Sequence, residues 1–253
     1  MSTKVTIIVP AYNEEPTIGL MLGSLLKSIP DVYEIIVVDD GSADKTAELA
    51  QDWARTEPRI RVIRLAKNEG KTAALKRGFA ASTGDVVIVQ DADLEYDPRE
   101  IPCLVGPIAN GQADVVYGSR FLVGREARVL YFRHYMANRL LTFLSDLLTD
   151  LNLTDVETGY KAFRGEIIRQ MVIESSRFGF EIEVTAKIAK LRCRVYEVPI
   201  SYHGRTYEEG KKIGFADGLA ALYYIVKYNL FCSRRDAFVQ IPEIRPLREF
   251  VNN

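Results

Sequence analysis

Asp85-Val86-Val87-Ile88-Val89-Gln90-Asp91-Ala92-Asp93 is the stretch on which the fold turns. Residues 85–90 form a short apolar run of the kind that crosses a parallel sheet buried on both faces. Two carboxylates, Asp91 and Asp93, follow where that strand would emerge. Like charges so close oppose one another's ionisation unless a cation lies between them. A hard divalent ion held by one or two carboxylates takes its other ligands from water and substrate phosphate. The pattern therefore points to metal-assisted chemistry on a diphosphate. A solvated acidic loop is the plain alternative.

Two upstream segments repeat the design. Val5-Thr6-Ile7-Ile8-Val9-Pro10-Ala11-Tyr12-Asn13-Glu14 reads as a buried strand stopped by Pro10 and followed by a polar turn. Glu34-Ile35-Ile36-Val37-Val38-Asp39-Asp40-Gly41-Ser42-Ala43-Asp44 reads as a second strand, an acidic turn at Gly41 and a helix start capped by Ser42 or Asp44. Ligands of open α/β sheets bind outside the carboxyl ends of the strands, so the three turns would face one crevice. Strands near 4–9, 34–39, 60–65, 85–90 and 113–118 alternate with helices near 15–28, 43–55, 70–82 and 98–109. That alternation predicts a mainly parallel sheet with helices on both faces. The second half is less regular, with strands expected at 158–164 and 194–201 and long helical patterns at 136–151 and 215–230.

The chain of 253 residues is long enough for one large α/β domain. With 26% charged and 47% apolar residues it has the balance of a water-soluble globular protein. A net charge of -1 gives no footprint of nucleic-acid binding. Cys103, Cys193 and Cys232 are widely spaced and odd in number, which suggests neither a disulfide framework nor a zinc site and fits a reducing cytosol. The N-terminus leads straight into the first strand without a signal-peptide pattern, and no run of about 18 uncharged apolar residues marks a membrane span. Asn68-Glu69-Gly70-Lys71-Thr72 hints at a phosphate loop, but that motif needs a glycine where Leu65 stands. A helix start lining a nucleotide pocket is the better reading.

Residues 10–14, the segment Val38-Asp39-Asp40-Gly41-Ser42 and Asp91-Ala92-Asp93 together resemble glycosyltransferase family 2, with its GT-A fold. Within it the chain is similar to the polyprenyl-phosphate glycosyltransferases, including dolichol-phosphate mannose synthases, from about residue 4 to about 214. The resemblance implies an inverting transfer from a UDP- or GDP-linked sugar, with Mg²⁺ or Mn²⁺ as cofactor. It puts Pro10, Tyr12, Glu14, Val38, Asp40, Asp91 and Ala92 at the donor, and Asp91, Asp93 and Glu95 at the metal. Glu95 departs from the Gln often found there. Asp39 is the more structural of the two neighbouring acids. Departure of a nucleoside diphosphate needs charge stabilisation, which a Lewis-acid cation supplies together with positioned cations. Asp93, Arg205 and Lys211 are the expected catalytic set, the last two in the glycine-containing basic loop after Tyr202.

The acceptor half, 120–232, follows a nucleotide-sugar half at 1–119, with a tail at 233–253. The resemblance implies Arg120 and Asp155 at the acceptor, with Arg133 of the basic stretch beside them. A sugar hydroxyl would need a general base, for which Asp155, Glu157, Glu181 and Glu183 are candidates. A lipid phosphate would need none, because its oxygen is already ionised. Between 120 and 139 there are five arginines and one acid, Glu126, beside the amphipathic pattern Met136, Leu140, Phe143, Leu144, Leu147, Leu148, Leu151. Phe215, Leu219, Leu222, Tyr223, Val226 and Leu230 repeat it. Such helices pack on a core or lie in a membrane interface that attracts basic residues. The resemblance, with this patterning, implies an enzyme peripheral to the cytoplasmic membrane face, taking nucleotide sugar and polyprenyl phosphate. The same fold acting on a soluble saccharide is the alternative, and a binding protein without catalysis is the more distant one. The tail would wrap the domain, pair with a partner chain or stay disordered, and a homo-oligomer is open.

Overall fold

The computed structural model describes residues 3–122, 129, 131–176, 179–204 and 215–244. The first half runs β1 (Val5–Ala11), α1 (Ile18–Ser28), β2 (Glu34–Asp39), α2 (Thr46–Thr56), β3 (Ile60–Arg64), α3 (Lys71–Ala81), β4 (Val86–Val89), a short 3₁₀ turn (Pro98–Glu100), α4 (Ile101–Ala109) and β5 (Val115–Ser119). The second half adds α5 (Phe132–Thr149), β6 (Lys161–Arg164), α6 (Gly165–Gln170), α7 (Phe180–Leu191), β7 (Val195–Pro199) and α8 (Phe215–Leu230).

One seven-stranded sheet has the order β3-β2-β1-β4-β6-β5-β7. All neighbours pair parallel except at β6, which is antiparallel to both β4 and β5. The alternating side chains of the central strands feed two cores. Ile7, Val9, Ile35, Val37 and Ile88 pack with α1, α2 and α4 on one face. Ile8, Ile36, Val38, Val87 and Val89 pack with α3, α6 and α7 on the other. Burial on both faces is why these strands read as unbroken apolar runs. From β1 the chain winds outward through β2 and β3, then returns to β4 on the far side of β1. That reversal between β1 and β4 is a topological switch point, where open α/β sheets form their ligand crevice.

Some boundaries differ from the sequence reading for identifiable reasons. Pro10 does not stop β1. The pairing with β4 ends at Ile8 and Val89, so Pro10 lies where only the β2 ladder continues. Asp44 receives the Thr46 amide at 3.0 Å at the start of α2, whereas Ser42 instead receives the amide of Asn13 at 2.9 Å. The 98–109 segment splits into the 3₁₀ turn and α4. The two helices α6 and α7 were not anticipated. The beginning of the C-terminal tail wraps the domain: Ala237 and Phe238 are buried in the second core, and Phe238 forms an antiparallel bridge with Met171.

Only the inner edge of α5 is buried, through Thr142 and Ser145. Phe132, Met136, Leu140, Phe143 and Leu147, spaced along one stripe, are all at least half exposed. Of the 136–151 pattern, Met136, Leu140, Phe143 and Leu147 therefore face outward, while Leu144 and Leu151 pack against the core. Helix α8 packs against α5 and α7. It buries Ala221 and Ile225 inward with Ile182, and exposes Leu219, Tyr223, Val226 and Leu230 outward.

Candidate active site

The turns after β1 and β2 are fastened to each other. The Asn13 side chain accepts from the Ala43 amide at 2.9 Å while Ser42 accepts from the Asn13 amide. The Glu14 amide donates to Thr46 Oγ1 at 2.8 Å, and the Glu15 amide to Asp44 at 3.1 Å. Asn13 holds a left-handed φ of 54°. The ring of Tyr12 is left partly exposed beside this clasp, at 38%.

Asp39 and Asp40 divide as their surroundings dictate. Asp39 is fully buried, accepts from the Ser42 amide and pairs with Arg64 at 3.3 Å, so it is structural. Asp40 accepts from the amides of Glu69 and Gly70 at 2.8 Å each. Burial raises its pKa, and the two amides offset part of that effect. Both of its oxygens are thus engaged in fixing the start of α3, where Gly70 has φ 94°. Any contact of Asp40 with a donor base would have to use the remaining lone pairs of those same oxygens. Gly41, at φ 69°, allows the turn to approach within a space where a Cβ would lie 2.5 Å from the Lys67 backbone.

After β4 the chain turns through Asp91, Ala92 and Asp93 to Leu94, which holds φ 62°. A bulky residue in that region is strained, and such strain concentrates at functional turns. Lys71, the first residue of α3, places its Nζ 2.8 and 2.9 Å from the two carboxylate oxygens of Asp91, and 3.6 Å from Oε1 of Glu181 on α7. Burial disfavours the Lys71 charge, but Asp91 and then Glu181 more than reverse this and raise its pKa. Gly159 makes room behind Asp91: a Cβ there would stand 2.6 Å from Asp91 Oδ2. Asp93 Oδ1 accepts the Glu95 amide at 3.2 Å.

Glu95 does not join Asp91 and Asp93 in a three-carboxylate cage. Its Oε2 accepts the Tyr202 hydroxyl at 2.7 Å, and its carbonyl accepts the His203 amide at 2.9 Å. Among the described residues no three His, Cys, Asp or Glu side chains gather as a metal site. The donor set still suits a magnesium-like ion, which needs only one or two protein carboxylates when phosphates and water complete its shell.

Behind this turn stands an aromatic wall. Tyr160, Tyr96 and Tyr202 follow one another at ring distances of 4.9 and 5.2 Å, and the Arg120 guanidinium lies 5.0 Å from the Tyr202 ring. Arg120 is held bidentate by Asp155, with Nε and Nη2 each 2.7 Å from a carboxylate oxygen. Asn138 adds a donor to Asp155 at 3.1 Å. Burial alone would raise the Asp155 pKa; the charge and hydrogen bonds of Arg120 hold it below the usual carboxylate value. The structure therefore brings Arg120 and Asp155 together, but commits them to each other, with Asp155 fully buried.

The other acids proposed as a base separate in the same way. Glu183 is fully buried, accepts the amides of Glu174 and Ser175 at 2.8 Å and pairs with Lys187 at 2.6 Å, an internal brace of α7. Glu157 and Glu181 each keep one buried oxygen without a hydrogen-bond partner among the described residues. Burial and then the charge of Glu181 push the Glu157 pKa up. Arg133 is exposed in the first turn of α5. Arg205 and Lys211 lie outside the described residues. Sequence reading missed Lys71 as a partner of Asp91; the only signal was a lysine opening α3 directly after the glycine turn.

Comparison with known proteins agrees with this geometry. The profile described as Glycosyl transferase family 2 matches residues 6–172. The chain is 32% identical over 225 residues to an undecaprenyl-phosphate mannosyltransferase of Micrococcus luteus, covering 87% of this chain and 91% of that one. It is 31% identical over 231 residues to a dolichol-phosphate mannosyltransferase of Pyrococcus furiosus, covering 89% of this chain and 64% of the longer relative. In fold it is similar to glucosyl-3-phosphoglycerate synthase from Mycobacterium tuberculosis, solved with Mn²⁺, uridine diphosphate and phosphoglyceric acid, at a TM-score of 0.70 and 22% identity over 90% of this chain and 79% of that one. The sheet with its switch-point crevice, the Asp-x-Asp turn and the extent of these matches lead to one conclusion: the chain belongs to glycosyl transferase family 2 and is a glycosyltransferase of GT-A fold.

Proposed function

We propose that this enzyme moves a sugar, with inversion, from a UDP- or GDP-linked donor to a polyprenyl phosphate at the cytoplasmic membrane face. The observation that carries the acceptor half is the outward apolar stripe of α5, Phe132, Met136, Leu140, Phe143 and Leu147, joined by the outer face of α8. A water-filled environment gives no reason for two neighbouring helices to expose such stripes. An interface of headgroups and acyl chains does. No described helix is long and apolar enough to cross a membrane, so the association is peripheral in this reading. The names of the relatives, transferases to undecaprenyl and dolichol phosphates, support the same acceptor.

The donor half follows from the crevice. Tyr12 stacks on the base, with Pro10, Glu14, Val38 and Asp40 around base and ribose. Asp93, together with Asp91, would hold the divalent cation, which when bound would supply Lewis-acid stabilisation of the departing nucleotide. Arg205 and Lys211 add positive charge at the same oxygens. At the acceptor, Arg133 and the N-terminal turn of α5 meet the lipid phosphate, since helix N-termini favour anions. Arg120, braced by Asp155 and the Tyr202 ring, fixes the wall of the site from behind. A phosphate oxygen is already nucleophilic, which agrees with Asp155 and Glu183 being locked in structural pairs.

The membrane part is tested by sedimentation with anionic liposomes. The protein is expected to cosediment, and binding is expected to weaken as salt shortens the screening length below about 8 Å. Replacing Leu140, Phe143 and Leu147 together by serine should abolish cosedimentation while the protein still folds, because all three are more than half exposed. Wild-type protein that stays in the supernatant at low salt would contradict this placement.

A further inference from the structure

Lys71 sits between two carboxylates, and only one of them is satisfied. Its ammonium is hydrogen-bonded to Asp91, at 2.8 Å from Oδ1, while Glu181 Oε1 lies 3.6 Å away on α7. The Glu181 side chain is 7% exposed, and its Oε2 is buried without a hydrogen-bond partner among the described residues. An under-compensated buried carboxylate is costly. The nearby Lys161 contributes charge but no hydrogen bond, because its Nζ is bonded to the carbonyls of Val156 and Thr158. Glu157 adds like charge whenever it ionises.

The frame around Lys71 is fixed. Asp40 pins the amides of Glu69 and Gly70 directly before it. Phe79 of α3 stacks on Phe180, the first residue of α7, at 5.6 Å, so the two helices hold their separation. What can move is the four-carbon side chain, whose ammonium is a compact charge on a flexible stem.

We infer that Lys71 is a two-position counter-ion: it neutralises Asp91 in the empty site and shifts to Glu181 when a divalent cation and a nucleoside diphosphate engage Asp91. The inference rests on the donor site proposed above. An ammonium within hydrogen-bond distance of Asp91 repels any dication approaching the same oxygens. Moving it onto Glu181 lessens that repulsion and gives the Glu181 carboxylate a cation in hydrogen-bond contact. Lys71 and Glu181 are positioning residues in this scheme. It couples cation binding to nucleotide binding, so that the empty enzyme holds metal weakly and the donor brings it in.

The test is a double-mutant cycle read by titration calorimetry, with Mn²⁺ alone and with Mn²⁺ plus UDP or GDP, and no acceptor present. Lys71→Met should tighten nucleotide-free Mn²⁺ binding about ten-fold, the lower end of what one charge partner at 4–6 Å does to a carboxylate. Glu181→Gln should weaken Mn²⁺ binding in the presence of the nucleotide by about three- to ten-fold, on the same scale. In the Lys71→Met background Glu181→Gln should change nothing, an outcome that a purely structural role for Glu181 does not give. If Lys71→Met does not fold, Lys71→Gln carries the same expectation while keeping a hydrogen bond to Asp91. Mn²⁺ affinity unmoved by either lysine substitution, or an equal Glu181→Gln effect in both backgrounds, would overturn the inference alone. Wild-type protein that binds neither Mn²⁺ nor Mg²⁺ with either nucleotide would overturn the metal-dependent donor site, and this inference with it.

Discussion

Asp93→Asn is expected to lower turnover by about 10²–10³-fold, the loss seen when one preorganised charge-stabilising group is removed from a transition state. The fold should be unaffected. Asp93 Oδ1 accepts the Glu95 amide at 3.2 Å, and the amide oxygen of asparagine can accept the same bond. What is lost is the negative charge that a cation needs. Asp91 alone does not replace it, because a cation site built on two carboxylates is left with one. Steady-state rates with a fixed donor and rising Mg²⁺ or Mn²⁺, alongside a thermal melt, separate the two effects. A rate within three-fold of wild type at all metal concentrations would remove Asp93 from the catalytic set.

The second large effect concerns stability. Arg120→Ala strands the Asp155 carboxylate, which is fully buried and receives both arms of the guanidinium. Breaking such a pair from one side costs about 3–5 kcal/mol. Replacing both partners by apolar residues, Arg120→Met with Asp155→Leu, should recover most of that loss, since buried ion pairs exchange for packed hydrophobes at little net cost. The pair also carries a pH signature. The folded pKa of Asp155 lies below its ordinary 3.8, so its contribution is complete above that value and fades as the pH falls through the folded pKa. Urea melts of the single and double variants at pH 7 and in acid check both statements. A single variant as stable as wild type would mean that solvent reaches Asp155 after all. The same substitution cannot serve as a clean acceptor probe, because any change in acceptor use would be mixed with unfolding; Arg133, exposed on α5, can.

The first half of the fold was legible because each parallel strand is buried on both faces and each ends in a turn of distinctive chemistry. The crevice was legible for the same reason: residues 10–14, 38–42 and 91–93 all lie at or just past the carboxyl ends of strands that the sheet sets side by side. The second half resisted reading where burial and charge coincide. Helix α7 is buried nearly all round, yet carries Glu181, Glu183 and Lys187 inside. Paired charges on inward faces erase the amphipathic period by which a helix is recognised. In α5, Thr142 and Ser145 are buried while Leu140, Phe143 and Leu147 face outward, so the periodicity was visible but its direction was not. At the site, residue types were legible and their partners were not. Nothing local in the sequence tells that Asp91 meets Lys71, 20 positions away, that Arg120 meets Asp155, 35 away, or that Glu95 meets Tyr202, 107 away.

The central claim, transfer from a nucleotide sugar to a lipid phosphate, is tested most directly by one assay. The enzyme is incubated with Mg²⁺ or Mn²⁺ and a panel of radiolabelled UDP- and GDP-sugars, with polyprenyl phosphate in liposomes in one set and water-soluble saccharides in the other. The account predicts label in the lipid phase from at least one donor, dependent on polyprenyl phosphate and on the metal, and no comparable transfer to the soluble acceptors. Efficient transfer to a soluble saccharide, with no labelled lipid from any donor, would contradict it.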